Sequence, residues 1–505
     1  MTSPAPVSVE AAYDAEVFSH AVDIARSRLR QCLRDQTGGV TLVPPKRLME
    51  EARSLMVDSH MGQDIAAVQF DPERFAALVD LHIRTGIKVY SPTALARQFS
   101  FVFPVSAVFN LVSAIAPQPA SFYEAGQLAN VADKLIAEQF APLIGWKTGE
   151  FEMLSTSGAS LANLTAILAA RNSILPDLRM QGRVIGKARP AVAVGADAHF
   201  SVKRLAGIIG VGEDNIVSLP LDSARRICPI AAKHALLNAA RQDKRVFCII
   251  AAAGSTSVGA IDPLSELASL AREHQAWLHV DAAHSGAFLV SDRLRPRLKG
   301  LELADSFCLD AHKNLFVPAL CTLLFYRDKA SAGRPFPETD SYVADVDEHA
   351  SFESGHKNFE CTKPPAILNL WTTWGLFGRA VFAAKLDHIV ELARMTYHFL
   401  ANQPDFIVEP EPDSNIVCFS YRPHGCTLEH LGPLQKELHD RIRADGRFFV
   451  STVDLDGRSV LRLVLSHHGT TLDIIGELVE MIRGMADGLL AADYPLFQKE
   501  RVYAP

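Results

Sequence analysis

Short apolar runs alternate with helix-periodic segments through the middle of this chain. AVAVG (191–195), VFCIIAAAG (246–254), AWLHVDA (276–282), SFCLDA (306–311) and CTLLFYRD (321–328) are near-continuous hydrophobic runs of strand length. Between them, 201–210, 229–241 and 263–274 carry apolar residues three and four apart, the period of a half-buried helix. This rhythm predicts a mostly parallel sheet covered on both faces by helices. Upstream, residues 16–80 read as mostly helical, 122–145 as a long amphipathic helix, and 101–117 as a buried segment. Another helix starts at the Gly-Ala-Ser turn of 158–160. Downstream, a helix over 368–401 leads into a smaller α+β unit with strands in 414–423 and 459–467. Residues 1–15 read as loosely held, and the polar, Gly/Pro-punctuated stretch 329–359 as a long mobile loop of the kind that often carries function.

Composition changes this picture little. The chain has 505 residues, enough for two or three domains, with 48% hydrophobic and 21% charged residues. A net charge of −7 without a basic stripe argues against nucleic-acid binding. The N-terminus lacks the basic and apolar regions of a signal peptide, and no run of about 18 uncharged apolar residues predicts a membrane span. The eight cysteines show no C-x-x-C spacing, and Cys248, Cys308, Cys321 and Cys418 lie inside strand-like runs. They read as buried free thiols in a reducing compartment, so a cytoplasmic location is expected.

The chemistry concentrates at the ends of the apolar runs. Asp281 closes Leu278-His279-Val280, and His312-Lys313 follows Ala304–Leu309. An amine and a carboxylate at the ends of two buried strands suit pyridoxal phosphate: the lysine forms a Schiff base and the aspartate keeps the pyridinium protonated. Taken alone, Lys313 also reads as a surface lysine at a strand exit and Asp281 as a turn cap. The turn from Ser155 to Ser160, containing Gly158 and Ala159, precedes a helix and offers backbone N–H groups to a phosphate, although such turns are also ordinary helix caps. His199 stands at another strand exit, as a ring-stacking or a structural imidazole. Thr256, in the turn after VFCIIAAA, is placed to face the same site.

Together these segments resemble the group II pyridoxal-phosphate-dependent amino acid decarboxylases. The resemblance runs from about residue 75 to 485 through TSGASLANLTAILAAR, DAHFSVKRLAGIIGVG, AAAGSTSVGAIDPL, WLHVDAAHSGAF, LADSFCLDAHKNLFVP, ECTKPPAILNLW, SNIVCFSYRP and LRLVLSHHGTT, in that order. It implies an α/β chain of PLP-dependent fold type I, the aspartate aminotransferase-like architecture, with a large seven-stranded, mostly parallel sheet domain and a small C-terminal α+β domain. The implied divisions are an N-terminal helical segment (1–108) packing on a partner subunit, a PLP domain (109–375) and a small domain (376–505). The resemblance also implies a homodimer with shared active sites.

For the residues, it implies that Lys313 is the Schiff-base lysine, that Asp281 pairs with the ring nitrogen, and that Ala283 and His199 cover the two ring faces. Gly158, Ala159 and Ser160 would hold the phosphate with help from His312 or Asp310. Tyr342 would protonate Cα. Lys363 stands where relatives carry an arginine for a substrate carboxylate, and it lacks that residue's bidentate fork. Asn314, Asp310, Leu161 and Val105 are further departures. The expected reaction is α-decarboxylation of an acyclic polar L-amino acid such as 2,4-diaminobutyrate or glutamate. Other outcomes at Cα (oxidative deamination, transamination, another lyase reaction), an aromatic substrate and a cofactor-free scaffold remain open at this point.

Overall fold

The computed structural model describes residues 13–56, 69–182, 188–199, 201–336, 352–360 and 362–491. Seven strands build the central sheet: β1 (Glu152–Thr156), β2 (Arg189–Gly195), β3 (Ile216–Leu219), β4 (Lys244–Ala252), β5 (Trp277–Asp281), β6 (Ser306–Asp310) and β7 (Thr322–Tyr326), in the order β1-β7-β6-β5-β4-β2-β3. All neighbours pair in parallel except β7, which runs antiparallel to both β1 and β6. The apolar runs are continuous because helices cover both faces. In β4, Val246 to Ala251 are all buried, each large side chain contributing about 1.5–3 kcal/mol. Phe307 and Phe325 stack across β6 and β7 with centroids 4.5 Å apart.

Strands β1 and β3 are not among the expected ones. The first lies hidden in front of the Ser155–Ser160 turn, and the second is four residues long. A second sheet of β8 (Phe406–Val408), β9 (Ile416–Tyr421), β10 (Ser451–Leu455) and β11 (Arg458–Val464) is antiparallel, in the order β8-β9-β11-β10.

The described N-terminal residues carry α1 (Ala15–Asp35), α2 (Pro45–Ser54) and α3 (Pro72–Arg84). Asp14 and Asp71 cap α1 and α3 through their carboxylates. The segment expected to be buried, 101–117, is instead helix α4 (Pro104–Ile115), whose Val108, Val112 and Ile115 are more than half exposed. It packs one face on the chain and leaves the other apolar. Helix α5 (Gln127–Ile144) ends where Gly145 turns left-handed, and α6 (Ala159–Ile174) lies across the central sheet. The 35-residue α7 (Ile367–Ala401) breaks at Gly378 and leads towards the second sheet. Among the described residues, no helix is long and apolar enough to cross a membrane.

Candidate active site

A parallel sheet places the carboxyl ends of its strands on one edge, where ligands of such folds bind. Here Asp281 ends β5, Asp310 ends β6, Ala252 ends β4 and Gly195 ends β2. The reversed strand β7 begins at this same edge, with Thr322 opposite both Asp310 and Thr156. A cavity of about 280 Å³ opens over the edge. It is lined by Lys313, Asp281, Ala283, His199, Asp310 and His312, by Gly158, Ala159 and Ser160, and by Thr256. The chain thus brings ten of the expected residues to one place. Tyr342 lies outside the described residues.

Lys313 sits on the one-turn helix that follows β6, with Nζ 3.0 Å from Asp310 Oδ2. Burial pulls its ammonium down, but the charges of Asp310 and Asp281 outweigh that and hold it above the usual lysine value. Asp310 also accepts a short hydrogen bond from the Thr322 hydroxyl. Across the cavity, Asp281 Oδ1 accepts from the Ala283 amide at 3.2 Å and Oδ2 from Asn163 Nδ2 at 2.9 Å. His199 Nδ1 lies 2.8 Å from Ser201 Oγ, and burial lowers its basicity, so the ring is a neutral flat surface.

The turn before α6 fits a phosphate. Gly158 has φ +100°, a backbone that strains any L side chain, and it directs the first turn of α6 at the cavity. The structure already places an anion beside it: the Glu360 carboxylate accepts from the Ser157 amide at 3.3 Å. Gly254, at φ +93°, has a second reason to be glycine, since a Cβ there would lie 2.4 Å from Ser285 Oγ. The cavity gathers the imidazole of His199, the small Ala283, the carboxylate of Asp281 and the amine of Lys313 around one space. The residues present therefore fit pyridoxal phosphate.

The comparison with protein families decides the class. The model described as the pyridoxal-dependent decarboxylase conserved domain matches residues 131–422. The chain belongs to the pyridoxal-dependent decarboxylase family. Its cofactor is pyridoxal 5′-phosphate, and the family's members are amino acid carboxy-lyases. Curated relatives include the acidic amino acid decarboxylase GADL1 of Homo sapiens, 27% identical over 314 residues, 62% of this chain and 60% of that protein. The L-aspartate decarboxylase dtxS4 of Metarhizium robertsii is 26% identical over 386 residues, 76% of this chain and 75% of that protein. The matched region therefore spans 60% of the human relative's length. Among solved structures, mouse CSAD superimposes with a TM-score of 0.84 at 22% identity, covering 95% of this chain and 99% of that one. Oryza sativa TDC with PLP and tryptamine gives 0.82 at 21% identity, covering 96% and 100%. These likenesses show the fold, a PLP-dependent fold type I with its large and small sheets.

Lys363 stands apart in this decarboxylase-family chain. It does not line the cavity. It is 4% exposed, its Nζ has no hydrogen-bond partner among the described residues, and Asp133, Glu360 and Cys321 surround it. Burial lowers its pKa and raises that of Asp133, pushing both towards neutrality. The nearby backbone explains the placement: Ala120 N donates to Lys363 O at 3.0 Å, tying the residue to the segment before α5.

Other cavity residues went unnoticed in the sequence. Arg225, at a left-handed φ of 61°, makes a fork to Asp197 at 2.6 and 2.8 Å and reaches Asp456 at 2.8 Å. His284 donates from Nε2 to Asn415 Oδ1 at 2.7 Å. Nothing in the sequence pattern around these residues links them to partners so far along the chain.

Buried neutral histidines give this family member a pH signature. Burial, reinforced by Lys313, pushes His284 down to about 3, and burial pushes His279 down to about 4. In the unfolded chain both titrate near the usual 6.5. Between those values the unfolded state binds more protons, so stability rises with pH and is lost as pH falls below about 6.5. Each fully buried imidazole contributes about 1.4 kcal/mol per pH unit in that window. Asp262, whose carboxyl burial pushes up to about 6, works the other way below that value, so urea unfolding of the apoprotein should lose stability most clearly from about pH 7 to about pH 6, and a flat profile there would contradict it.

Proposed function

We propose that this protein catalyses α-decarboxylation of an acyclic polar L-amino acid, giving the amine and CO2. One observation carries the proposal: Lys313, Asp281 and the N-terminal turn of α6 line a single cavity. Bound pyridoxal phosphate supplies the electron sink for the pair released when the Cα–carboxylate bond breaks. Lys313 is the residue that binds the cofactor covalently, and Asp310, itself held by the Thr322 hydroxyl, holds its Nζ. Asp281 supplies the negative charge for a protonated ring nitrogen. His199 and Ala283 keep the ring flat between them, and Gly158, Ala159 and Ser160 hold the phosphate. Orienting the carboxylate perpendicular to the ring is a task for the cavity walls, which also exclude water. Tyr342 is our candidate for delivering a proton to Cα from its phenol. Lys363, enclosed beside Asp133 and away from the cavity lining, is poorly placed to grip a substrate carboxylate.

The names of the curated relatives, an acidic amino acid decarboxylase and an L-aspartate decarboxylase, favour an acidic substrate. A second reading is 2,4-diaminobutyrate, an acyclic substrate of opposite side-chain charge. CO2 release and product mass across L-aspartate, L-glutamate, 2,4-diaminobutyrate and DOPA test this. An amine from one of the acyclic substrates is expected. Preference for DOPA would overturn the substrate class, and an aldehyde or keto acid product would overturn the reaction.

A homodimer completes this reading. The apolar outer face of α4, with Leu376 and Phe377 of α7 also exposed, is a surface that a second copy would cover. Sedimentation velocity should give twice the chain mass of 55.1 kDa, and a monomer would refute it. A cytoplasmic location accords with the free thiols of the described cysteines.

A further inference from the structure

Behind Asp281 lies a row of side chains that no role in the reaction has yet used. Trp277, His279 and Asp281 occupy alternate positions of β5 and so share one face of the sheet. Ser306 of β6 is in register with His279, and Cys308 with Asp281. Asn163 of α6 lies over them. Trp277 Nε1 is 2.8 Å from Ser306 Oγ, which is 2.8 Å from His279 Nδ1. His279 Nε2 is 2.9 Å from Asn163 Oδ1, and Asn163 Nδ2 is 2.9 Å from Asp281 Oδ2. Cys308 Sγ adds a contact to Asn163 Oδ1 at 3.0 Å. His279, Ser306 and Cys308 are wholly buried and Asn163 is 2% exposed.

The two ends of this row impose one direction on it. An indole N–H can only donate, and a carboxylate can only accept. Asn163 must therefore turn its amide nitrogen to Asp281 and its oxygen to His279. His279 then carries its proton on Nε2 and accepts at Nδ1 from the Ser306 hydroxyl, whose oxygen accepts from Trp277. The buried imidazole is neutral, so it holds the single proton this arrangement needs. Every donor points towards Asp281, and none of these polar atoms is left without a partner. Fully satisfied buried chains of this kind polarise along their length and lock side-chain orientation.

We propose that Trp277, Ser306, His279 and Asn163 are positioning residues that aim the Asp281 carboxylate at the ring nitrogen of the cofactor and thereby set cofactor affinity. This rests on the reading of Asp281 as the ring-nitrogen partner. The test compares binding of pyridoxal phosphate with that of an analogue whose ring nitrogen is replaced by CH, using apoprotein and spectroscopic titration. Wild-type protein should prefer pyridoxal phosphate. Ser306→Ala, which removes one hydroxyl two hydrogen bonds behind Asn163, should weaken pyridoxal phosphate binding by about three- to tenfold, the span of a neutral hydrogen bond. Binding of the analogue should be unchanged. Asn163→Leu, checked for folding by circular dichroism, should weaken pyridoxal phosphate binding more, again without affecting the analogue. Equal weakening of both ligands, or of neither, would overturn the relay. In unmutated protein, 15N NMR with labelled histidine should find His279 protonated at Nε2; a proton on Nδ1 would reverse the chain and overturn the proposal independently of any variant. A wild-type protein without preference between the two ligands would instead refute the role of Asp281, and the relay with it.

Discussion

Lys313→Ala is expected to abolish turnover, with kcat falling by at least about 10³-fold, the scale seen when a covalent catalytic group is removed. The protein should also lose its cofactor on dialysis, because only non-covalent contacts from the α6 turn, His199 and Asp281 would hold it. The variant should nevertheless fold. Asp310 loses an ammonium 3.0 Å away but keeps the Thr322 hydroxyl, and among the described residues the Lys313 ammonium pairs with no other carboxylate. Two measurements separate chemistry from collapse. Unfolding by urea should shift only modestly, and added small primary amines should restore part of the rate by entering the space left by the side chain. A Lys313→Ala protein with activity above about one percent of wild type, free of added amine, would remove Lys313 from its proposed role.

Asp281→Asn carries the second-largest expected effect. The substitution keeps shape and an oxygen for Asn163 Nδ2 to donate to, but it removes the charge proposed to face the ring nitrogen. A ring without that countercharge is a poorer electron sink, and loss of preorganised electrostatic stabilisation of this kind typically costs about 10²–10³ in kcat. The loss should appear in single turnovers at saturating cofactor, so that weaker cofactor binding does not account for it. A kcat within about tenfold of wild type under those conditions would show that Asp281 acts only in binding. The two substitutions also differ in kind. The lysine variant should respond to external amine, whereas the asparagine variant should not, because its defect is in the ring's electronics.

Much of this site was legible from local pattern. Asp281 and Lys313 follow near-continuous apolar runs, and a run that is buried on both faces must end at a sheet edge, where polar groups can be solvated or paired. That argument needs no knowledge of neighbours. The helix at Ala159 was equally legible, because Gly158 and the hydroxyls before it form a helix start that also presents donors. Residues whose importance lies in pairing were not legible. Strand β7 reverses and inserts between β1 and β6, which puts Thr322 beside Asp310; nothing local announces that order. The two short strands β1 and β3 were missed because four or five residues beside a turn give too little periodicity to separate strand from loop.

Helix α4 and Lys363 show the same division from the other side. An apolar run such as 101–117 states that a surface must be covered but not by what, and within one chain its outer face is bare. Lys363 follows Thr362 and precedes two prolines, which places it in a rigid extended segment; only the contact with Ala120 decides that the segment carries it away from the cavity and in beside Asp133.

The sequence by itself therefore determined the alternation of strands and helices, the strand-end positions of the amine and the carboxylate, and through them the family and its cofactor. These follow from short-range physics: burial periodicity, helix starts and the cost of leaving charge inside. The tertiary structure alone decided which strands adjoin, and so that His279 meets Ser306, that Asn163 reaches Asp281, and that Arg225 forks onto Asp197. Such contacts join residues far apart in the chain, and hydrogen bonds act only over a few ångströms. Their partners exist only once the sheet order has brought distant segments to a common edge.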